Sequence, residues 1–498
     1  MILGQLCVET MRLEYLTRVI QPVTLRGATD CEIEGLAYDS RQVRPGFLFV
    51  ALPGQRRDGR DFVAEAIDRG AVAVMSEKNE LPRRAVTSIR VEDARRAMAE
   101  AACAFYGEPS RELFMVGVTG TNGKSTVSFM VRDLLRAAGL VPGLIGTIRY
   151  EIGERSIPAS RTTPEAPDLQ AMLDRMRHAG CRSAVMEVSS HGLDQKRVWG
   201  TDFDVGIFTN LTQDHLDYHR TMERYFAAKS LLFQGLGQME KHARAVLNMD
   251  DPWGLQLANT GGFNAELVTF GMHPGAMVRA ENVDLSDAGS SFDVATPWGG
   301  ARVRLRLLGR FNVSNALAAL AAGGAAGIPP AQMAEVLGAM TAVPGRLEPI
   351  PSAHPFRVFV DYAHTPDALT NVLRTLREFT AGRVIVVFGC GGDRDRAKRP
   401  MMGAAAASLA DFSVLTSDNP RSEPPGVIIS EIAPGFGESA RFEIEENREK
   451  AIFRAFRMAR AGDTVLVAGK GHETTQEVGS TISPFDDREV ARRLLENL

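Results

Sequence analysis

The chain has 498 residues with a formal net charge of −4, and 44% of the residues are hydrophobic and 24% are charged. This is the composition of an ordinary globular protein, and at roughly 150 residues per domain the length predicts about three domains. The small negative charge excludes a general electrostatic attraction to nucleic acid, so any anion site must be local.

The five cysteines are scattered and form no C-x-x-C pair; they are Cys7, Cys31, Cys103, Cys181 and Cys390. This pattern argues against a disulfide framework and a structural zinc site, and it favours a reducing compartment. The first residues lack a basic region followed by a long apolar run. No apolar stretch reaches the length of about 18 residues that a membrane span needs. We therefore expect a cytoplasmic protein without a signal peptide or a membrane span.

Short apolar runs alternate with longer helical patterns, which predicts an α/β protein. Residues 1–91 form the first predicted domain, a small α/β domain. Apolar runs at residues 47–52 and 70–76 predict two strands, and the helix predicted between them ends at Gly70.

Residues 92–343 predict a central domain of the phosphate-loop type with a mostly parallel sheet. A helix ends near Gly107, and a buried strand at 113–119 precedes a glycine-rich loop and a helix at 125–139. Alanine-rich helical sequence ends near residue 340. The remaining predicted elements are strands at 183–189, 204–210 and 243–250 and an antiparallel, strand-rich segment at 265–308.

Residues 344–498 predict a third domain, a Rossmann-like α/β domain, after a linker at 343–350 that contains Pro and Gly. Four strands are predicted in it, at 356–363, 382–390, 412–418 and 462–470. Each predicted strand ends in a polar or glycine-rich turn, which is where open parallel sheets bind their ligands.

The glycine-rich loop reads GTNGKST from Gly120 to Thr126. The standard phosphate-loop pattern G-x-x-x-x-G-K-[ST] requires a glycine where the chain has Val118. A strand before the loop and a helix after it are nevertheless the context of a phosphate loop, which binds phosphate through backbone N–H groups. Lys124 is therefore predicted to contact the β- and γ-phosphates of ATP, and Ser125 to bind Mg²⁺. A glycine-rich turn with a solvated lysine is the alternative.

This loop resembles that of the Mur ligase superfamily, which includes the folylpolyglutamate synthetases. The resemblance covers about residues 39–473 and takes in VMEVSSHGLDQKRV, FTNLTQDHLDYH, YFAAKSLLF and LLGRFNVSNALAA. It implies that ATP is a substrate and that seven loop residues bind it: Gly120, Thr121, Asn122, Gly123, Lys124, Ser125 and Thr126.

Glu187 ends a predicted strand, from which a carboxylate can reach Mg²⁺ beside the phosphate loop; a helix-capping acid is the alternative. In the Mur ligases the lysine that matches Lys229 is carbamylated, and a carbamate is an oxygen donor suited to a hard metal. The resemblance implies a two-Mg²⁺ site formed by Ser125, Glu187, His215 and a CO2-derived carbamate on Lys229. It implies catalytic roles for Lys124, Glu187, His215 and Lys229. His215 and His219 are also four residues apart, but the H-E-x-x-H pattern of a zinc helix is absent.

The same resemblance implies that Asn312 contacts adenine. It also implies that Arg346, Asp361 and His364 bind the nucleotide at the boundary between the second and third domains. A linker salt bridge is the alternative for Arg346.

The stretch YDSRQVRPGFLFVALPGQRRDGRDF is similar to the uridine-nucleotide domain of the ligases that act on UDP-N-acetylmuramoyl-dipeptide. Gln55 stands where relatives often have His, and Arg161 stands where they often have Asn. The residues implied to bind the UDP-sugar-dipeptide are Tyr38, Ser40, Gln55, Arg56, Arg57, Thr162, Thr163, Ser189, Gln195 and Arg197.

The motifs GCGGDRDRAKRP, SDNPRSE and GKGHE resemble those of the diaminopimelate-adding members of the family. Arg421 can bind the distal carboxylate of diaminopimelate with a planar fork, and Glu473 can accept its distal ammonium. Lysine-adding relatives tend to have Asp in place of Asn419, and a second acid would repel that carboxylate. A proline-directed turn is the alternative for DNPR alone. The implied pocket consists of Arg394, Asp418, Asn419, Pro420, Arg421, Gly469 and Glu473.

Together the motifs imply an ATP-dependent amide ligase that adds meso-2,6-diaminopimelate to UDP-N-acetylmuramoyl-L-alanyl-D-glutamate through an acyl phosphate. This is a cytoplasmic step of peptidoglycan precursor synthesis. The expected partners are these small molecules and no nucleic acid, and we expect a monomer. A lysine-adding or folate-type ligase remains an alternative. A non-catalytic nucleotide-binding protein is a second alternative, against which the intact loop and Glu187 argue.

Overall fold

The computed structural model describes residues 10–54, 57–78, 86–437 and 441–498. Helices and strands alternate along this length, so the predicted α/β class is confirmed. The chain divides into two compact units, each built from separated segments. Unit 1 consists of Met1–Gly117, Leu140–Asp204 and Leu231–Ala243, and unit 2 of Val118–Gly139, Val205–Ser230 and Arg244–Leu498. The division into three domains stays a prediction.

Unit 1 contains a five-stranded sheet with the order Thr24–Arg26, Thr87–Arg90, Ala73–Ser76, Phe47–Val50 and Gly35–Ala37. The first strand is antiparallel to its neighbour and the others are parallel. The two predicted strands are confirmed in shortened form, and the predicted helix is Val63–Asp68 after a 3-10 turn at Gly59–Phe62. The other elements are the paired strands Met11–Arg12 and Glu32–Ile33, the helices Leu13–Ile20 and Ala94–Phe105, and the 3-10 turns Ser40–Gln42 and Pro109–Arg111.

A second strand group of unit 1 has the order Arg155–Pro158, Arg149–Ile152, Pro142–Ile145 and Ser183–Glu187. Only Ser183–Glu187 was predicted from the sequence. The first three strands lack a long apolar run, and Arg155–Pro158 is mostly exposed, so hydrophobic patterning does not reveal them. The helices Ala166–His178 and Ser190–Asp194 complete this part.

The strand Phe114–Thr119 begins in unit 1 and ends in unit 2, where the helix Lys124–Ala137 follows it. This strand and helix confirm the predicted context of the glycine-rich loop. The helix Met222–Gln234, which contains Lys229, also extends across both units.

Further strands of unit 2 have the order Val205–Phe208, Arg244–Asn248, Glu266–Gly271, Val278–Ser286, Gly289–Thr296 and Gly299–Leu305. The segment at 265–308 was expected to be antiparallel throughout, and this expectation is wrong for Glu266–Gly271. That strand is parallel to Arg244–Asn248 because the helix Pro252–Thr260 carries the chain back to the start of the sheet. It is also parallel to Val278–Ser286, through two residue pairs. The helices here also include Leu216–His219, Arg310–Ala325 and Pro330–Ala339.

The last sheet of unit 2 has the order Glu348–Ile350, Arg357–Asp361, Thr464–Ala468, Val384–Phe388, Phe412–Leu415 and Phe442–Ile444. The four predicted strands are confirmed and are parallel to one another. Glu348–Ile350, within the predicted linker, is instead an antiparallel edge strand. The accompanying elements are Pro366–Phe379, Lys398–Leu409, Pro425–Ile432, Ala433–Phe436, Arg448–Met458, Asp487–Glu496 and the hairpin of Thr475–Val478 with Thr481–Pro484.

Because these four central strands are parallel, their carboxyl ends meet at one edge of the sheet. Asp361 ends one strand, and Asp418 and Gly469 follow shortly after two others. Apolar cores lie against the sheet and include Leu373 and Phe388 in one cluster and Ile452 and Val467 in another. The sheet therefore holds these turns on a rigid support. In the part of the chain that the structure describes, no helix combines the length and apolarity needed to cross a membrane.

Candidate functional site

The glycines of the loop are required by the backbone. Gly120 has a φ of +144° and Gly123 a φ of +85°, in the region that side chains rarely adopt. A Cβ atom at Gly120 would lie 1.9 Å from Thr209 Oγ1, and one at Gly123 would lie 2.4 Å from Asn315 Oδ1. Side chains at these two positions would collide with neighbouring residues, so the close packing of the loop requires glycine at both. Val118, where the standard pattern has a glycine, is a buried residue of the preceding strand.

Two lysines point to the main chain of this loop. Lys124 Nζ donates to the carbonyl oxygens of Gly120 at 3.0 Å and Thr121 at 2.9 Å. Lys229 Nζ also donates to the Gly120 carbonyl oxygen, at 2.8 Å, and lies 4.6 Å from the ring centroid of Tyr225. Lys229 is fully buried, and burial together with the nearby Lys124 charge holds its pKa well below the ordinary value. Both effects act against the charged form of the Lys229 amine.

Side chains from two helices and one turn form hydrogen bonds with Thr121 and Asn122 of the loop. Thr121 Oγ1 lies 3.2 Å from the Tyr225 hydroxyl. Asn122 donates through its backbone N–H to Asn210 Oδ1 at 2.9 Å and through Nδ2 to Asp367 Oδ2 at 2.9 Å. Thr126 is buried in the first turn of the following helix. The loop conformation is therefore fixed by the protein itself.

His215 lies beside a buried carboxylate that the sequence did not indicate. His215 Nε2 is 3.3 Å from Asp214 Oδ2, and His364 Nε2 is 3.9 Å from the same oxygen. Burial would raise the pKa of Asp214, but the charges of His215, His364 and Lys398 lower it below its ordinary value. His215 has a φ of +55° and precedes the short helix Leu216–His219, so His215 and His219 do not share one helical face as a zinc helix requires.

Arg346 connects the loop to the start of the last sheet. Its Nη2 donates to Ser125 Oγ at 2.9 Å, and its guanidinium lies 4.4 Å from the ring centroid of Tyr362. The buried Asp361 accepts the backbone N–H groups of Leu347 at 2.5 Å and Ala363 at 2.7 Å. Arg346 therefore contacts the phosphate loop, and the alternative of a linker salt bridge is not what the described bonds show.

Asn312 and Arg346 line one cavity of about 280 Å³. Its wall also includes Leu308, Leu347 and Phe359. Asn312 is buried and donates to the Leu308 carbonyl oxygen at 2.8 Å. Charged residues, Asp287, Arg306 and Arg357, also line it, so the cavity offers apolar surface and polar groups together. Such a mixture can bind the face and the edge of a purine base.

In unit 1, both carboxylate oxygens of Glu187 accept hydrogen bonds from Thr147. The backbone N–H donates to Oε1 at 2.9 Å and the hydroxyl to Oε2 at 2.9 Å. The Thr147 hydroxyl also lies 3.0 Å from the hydroxyl of Thr162. Glu187 is buried at the end of its strand, as the sequence predicted. These bonds orient the carboxylate, and they do not make it a helix cap.

The residues predicted to bind the sugar and dipeptide surround a buried acid, Glu165. Arg197 Nη2 lies 3.0 Å from Glu165 Oε1 and donates to Gln195 Oε1 at 2.7 Å. Arg197 Nη1 donates to the Thr163 carbonyl oxygen at 2.9 Å, and the Thr163 hydroxyl donates to Ser189 Oγ at 3.1 Å. The structure thus brings four predicted residues together around an acid that the sequence did not single out.

The uridine-side residues are anchored by acids of unit 1. The Tyr38 hydroxyl donates to Asp168 Oδ2 at 2.6 Å, and burial and this carboxylate raise its pKa. Ser40 Oγ donates to Glu65 Oε2 at 2.8 Å. Arg57 is exposed. The predictions for Gln55 and Arg56 lie outside the described residues.

The predicted amino-acid pocket is assembled at the carboxyl edge of the last sheet. Asn419 Nδ2 donates to Glu473 Oε2 at 2.7 Å, and the backbone N–H of Asn419 donates to Asp418 Oδ1 at 2.7 Å. Gly469 has a φ of +114°, and a Cβ atom there would lie 2.5 Å from Asp418 Oδ2. Burial and Asp418 raise the pKa of Glu473. Residues from three separate turns therefore share one small volume.

Arg421 extends from the adjoining turn with a φ of +52°. Its Nη1 donates to the Gly392 carbonyl oxygen at 2.7 Å, and its Nε lies 3.2 Å from Glu477 Oε2. A Cβ atom at Gly392 would lie 1.9 Å from the carbonyl oxygen of Pro420, and one at Gly391 would lie 3.6 Å from Arg394 Cγ. Hydrogen bonds and close packing thus join Asp418, Asn419, Gly469 and Glu473, and the turn of Pro420 and Arg421 packs against Gly392.

Below the pocket lies a fully buried ion pair, Arg448–Asp487, with an N–O distance of 2.7 Å. Arg448 also donates to the carbonyl oxygens of Ala468 at 2.9 Å and Ser417 at 3.3 Å, next to Gly469 and Asp418. The pair therefore supports the two turns that carry pocket residues.

Several residues of these sites escaped the sequence interpretation: Asp214, Asp367, Lys398, Glu165, Asp168, Thr147, Lys470, Arg448 and Asp487. Asp214, Lys398 and Lys470 stand inside motifs that the sequence analysis quotes, so their importance was open to inference. The others lie outside those motifs.

Comparisons with known proteins agree with the motifs. The Mur ligase family catalytic domain matches residues 32–106, the Mur ligase middle domain matches 118–323, and the Mur ligase glutamate ligase domain matches 345–471. The chain is 48% identical to a protein of Geobacter metallireducens, over 96% of this chain and 97% of that protein. The chain belongs to the Mur ligase family, and the resemblance seen in the sequence is confirmed.

That Geobacter relative is named UDP-N-acetylmuramoyl-L-alanyl-D-glutamate–2,6-diaminopimelate ligase. A Bacillus licheniformis protein of the same name is 45% identical, over 98% of this chain and 99% of that protein. A solved structure with this name is 34% identical with a TM-score of 0.69, and it covers 98% of this chain and 99% of its own. The MurF ligase of Thermotoga maritima in complex with ADP, at 18% identity, TM-score 0.64 and coverage of 93% and 97%, shows the fold alone.

The described residues contain no group of three or more His, Cys, Asp or Glu side chains that could hold a metal ion. Of the predicted magnesium ligands, Ser125, His215 and Lys229 belong to unit 2 and Glu187 belongs to unit 1. A hydroxyl, a carboxylate and a carbamate would each supply oxygen donors of the kind that suits Mg²⁺.

Proposed function

We propose that the chain is an ATP-dependent amide ligase that joins meso-2,6-diaminopimelate to UDP-N-acetylmuramoyl-L-alanyl-D-glutamate. Relatives at 44–48% identity bear the name of this ligase. The observation that carries the proposal is the C-terminal cluster, where Asn419 is hydrogen-bonded to both acids, Asp418 and Glu473, and the same turn carries Arg421. Diaminopimelate has a distal carboxylate and a distal ammonium. An arginine complements the carboxylate, and the acids complement the ammonium.

The reaction starts with transfer of the γ-phosphoryl group of ATP to the D-glutamyl γ-carboxylate, which gives an acyl phosphate and ADP. The amine of diaminopimelate then attacks the acyl carbon, and phosphate leaves from the tetrahedral intermediate. The chain contributes alignment and charge neutralisation. Residues 120–126 bind the phosphates, and Lys124 neutralises charge on the transferred group. Asn312 binds the adenine in the 280 Å³ cavity, with Arg346, Asp361 and His364 beside the nucleotide.

In unit 1 the UDP-sugar-dipeptide is bound by Tyr38 and Ser40 on the uridine side, together with Gln55–Arg57, and by the group around Glu165 on the peptide side. That group includes the predicted residues Thr162, Thr163, Ser189, Gln195 and Arg197. Arg197 and Arg161 both pair with Glu165, so two cations are available near a substrate that carries carboxylate charge.

Bound Mg²⁺ would neutralise phosphate charge, with Ser125, Glu187, His215 and a carbamate on Lys229 as its ligands. The environment of Lys229 supports the carbamate. Carbamylation forms a bond between the amine nitrogen and the carbon of CO2 and releases a proton, so it requires a neutral amine. Burial and Lys124 favour that form.

The test is phosphate release from ATP with UDP-N-acetylmuramoyl-L-alanyl-D-glutamate, compared between meso-diaminopimelate and L-lysine. We expect release only with diaminopimelate. Release with L-lysine instead would indicate a lysine-adding ligase, and release with a folate and glutamate would indicate a folate-type one. No release with any acceptor would favour a non-catalytic nucleotide-binding protein. The reaction takes place in the cytoplasm. The enzyme acts as a monomer of 54.1 kDa, and size-exclusion chromatography measures whether it does.

A further inference from the structure

Lys470 is a fully buried lysine directly behind the proposed amino-acid pocket. Its Nζ donates to Asn419 Oδ1 at 3.1 Å, to Glu473 Oε2 at 3.0 Å and to the carbonyl oxygen of Thr475 at 2.6 Å. An ammonium has three N–H donors, so these three acceptors satisfy it completely. Lys470 therefore acts on the groups that surround it rather than on a bound molecule.

The first of these groups is the side-chain amide of Asn419. An ammonium can only donate, so the amide atom that faces Lys470 must be the oxygen. The same oxygen accepts the backbone N–H of Glu477 at 3.0 Å. The amide nitrogen is thereby directed to Glu473 Oε2 at 2.7 Å. Lys470 fixes which end of the Asn419 amide faces the pocket acid.

The second group is the carboxylate of Glu473. Burial and the neighbouring Asp418 raise its pKa, whereas Lys470 lowers it. Two carboxylates in one partly buried volume favour protonation of one of them unless a cation is close. Lys470 is the cation whose ammonium contacts Glu473 directly. Arg448 and Tyr362 also interact electrostatically with Glu473, but the Arg448 guanidinium is already paired with Asp487.

We propose that Lys470 is a positioning residue for the amino-acid substrate: it orients the Asn419 amide and compensates the charge of Glu473, so that both present fixed polar groups to the distal end of the amino acid. This inference rests on the proposed function. It assigns substrate recognition partly to a residue that the substrate does not contact.

The test is Lys470→Met, which keeps the length of the side chain and removes the ammonium. We expect the KM for diaminopimelate to rise about tenfold or more, as for loss of a hydrogen bond to a charged group. The KM for ATP and kcat should change by less than about threefold. The KM for diaminopimelate should also fall as pH rises, because Glu473 without its cation ionises only at higher pH. The wild type should show little such dependence.

Two comparisons separate positioning from loss of stability. Lys241→Met removes a half-buried lysine that pairs with Asp204 at 2.6 Å in unit 1, and it should lower thermal stability without changing the KM for diaminopimelate. In a Glu473→Gln background, Lys470→Met should raise the KM by a smaller factor than in the wild type, because only the orientation of the Asn419 amide is then left to lose.

An unchanged KM for diaminopimelate in Lys470→Met, a rise without pH dependence, or full additivity with Glu473→Gln would each overturn the inference. The wild-type enzyme is measured first. If it shows no release with diaminopimelate, the proposed function fails. If it is active and Lys470→Met behaves like Lys241→Met, only the role of Lys470 fails.

Discussion

The phosphate loop and the amino-acid pocket both lie at the ends of parallel strands, but they are built from different groups. In the loop, Lys124 and Lys229 donate to backbone carbonyl oxygens, and two glycines with positive φ set the path of the chain. In the pocket, Lys470 contacts the side chains of Asn419 and Glu473. One site is shaped mainly by the main chain and the other mainly by side chains.

This difference follows from what each site must distinguish. A phosphate group offers the same oxygens in every nucleotide, so a cradle of backbone N–H groups and a lysine suffices. An amino acid is selected by its distal end, which requires side chains of defined charge and orientation. Substitutions in the loop should therefore affect the rate with every acceptor, whereas substitutions in the pocket should change the choice of acceptor.

The largest effect is expected for Lys124→Met. Loss of a cation aimed at the transferred phosphoryl group should lower kcat by about a hundredfold to a thousandfold. Phosphate release at saturating substrates measures it. Lys450→Met, which changes an exposed lysine, serves as the control and should leave kcat unchanged. Activity near that of the wild type would remove Lys124 from the reaction.

Lys229→Ala should lower kcat by about a hundredfold, because it removes the proposed carbamate ligand. The wild type should also lose activity when CO2 and bicarbonate are removed from the buffer, and should regain it on their return. The phosphate-release assay follows both changes. Full activity of Lys229→Ala, together with indifference to bicarbonate, would show that no carbamate is needed.

A pair of glycine substitutions compares the two sites directly. Gly120→Ala and Gly469→Ala each place a Cβ atom in a crowded, positive-φ position, with an expected cost of about 2 kcal/mol or about thirtyfold. The first should raise the KM for ATP and the second the KM for diaminopimelate. Gly139→Ala, with a φ of +77° and no atom within 4 Å, controls for backbone strain alone. If both variants raised the same KM, the separation of the two sites would be wrong.

The smallest effect is expected for Asn419→Asp. The new carboxylate would face Glu473 across a distance of 2.7 Å, and diaminopimelate turnover should fall about tenfold. The ratio of kcat/KM for L-lysine to that for diaminopimelate should rise, because the added negative charge repels the distal carboxylate. Discrimination equal to that of the wild type would refute the selectivity assigned to Asn419.

Hydrophobic patterning predicted four buried strands, although it missed the buried strand Pro142–Ile145, which is parallel to Ser183–Glu187. The runs at 113–119, 183–189, 204–210 and 243–250 correspond to strands with the same centres and ends within three residues. The same patterning missed Arg149–Ile152 and Arg155–Pro158, which pair with each other and are only partly buried. A strand that is stabilised mainly by backbone hydrogen bonds to its neighbour need not show an alternating pattern of apolar residues.

The sites show a similar limit. Motifs identified Asn419 and Glu473 separately, and the structure joins them through a hydrogen bond between residues that are 54 positions apart. Glu165 and Asp168 belong to no quoted motif, and Asp214 lies in one without having been singled out; all three contact residues of the sites. Sequence patterns thus indicated which residues are chemically important. The bonds that orient them depend on tertiary contacts.

The buried pair of Arg448 with Asp487 has a practical consequence for protein engineering. Asp487 begins the helix Asp487–Glu496, so a truncation that removes this helix would leave the Arg448 guanidinium charged and unpaired beneath the pocket. Breaking such a pair costs about 3–5 kcal/mol. Shortened versions made for crystallisation would therefore be expected to lose the amino-acid site first, whereas a tag appended after Leu498 leaves the pair intact.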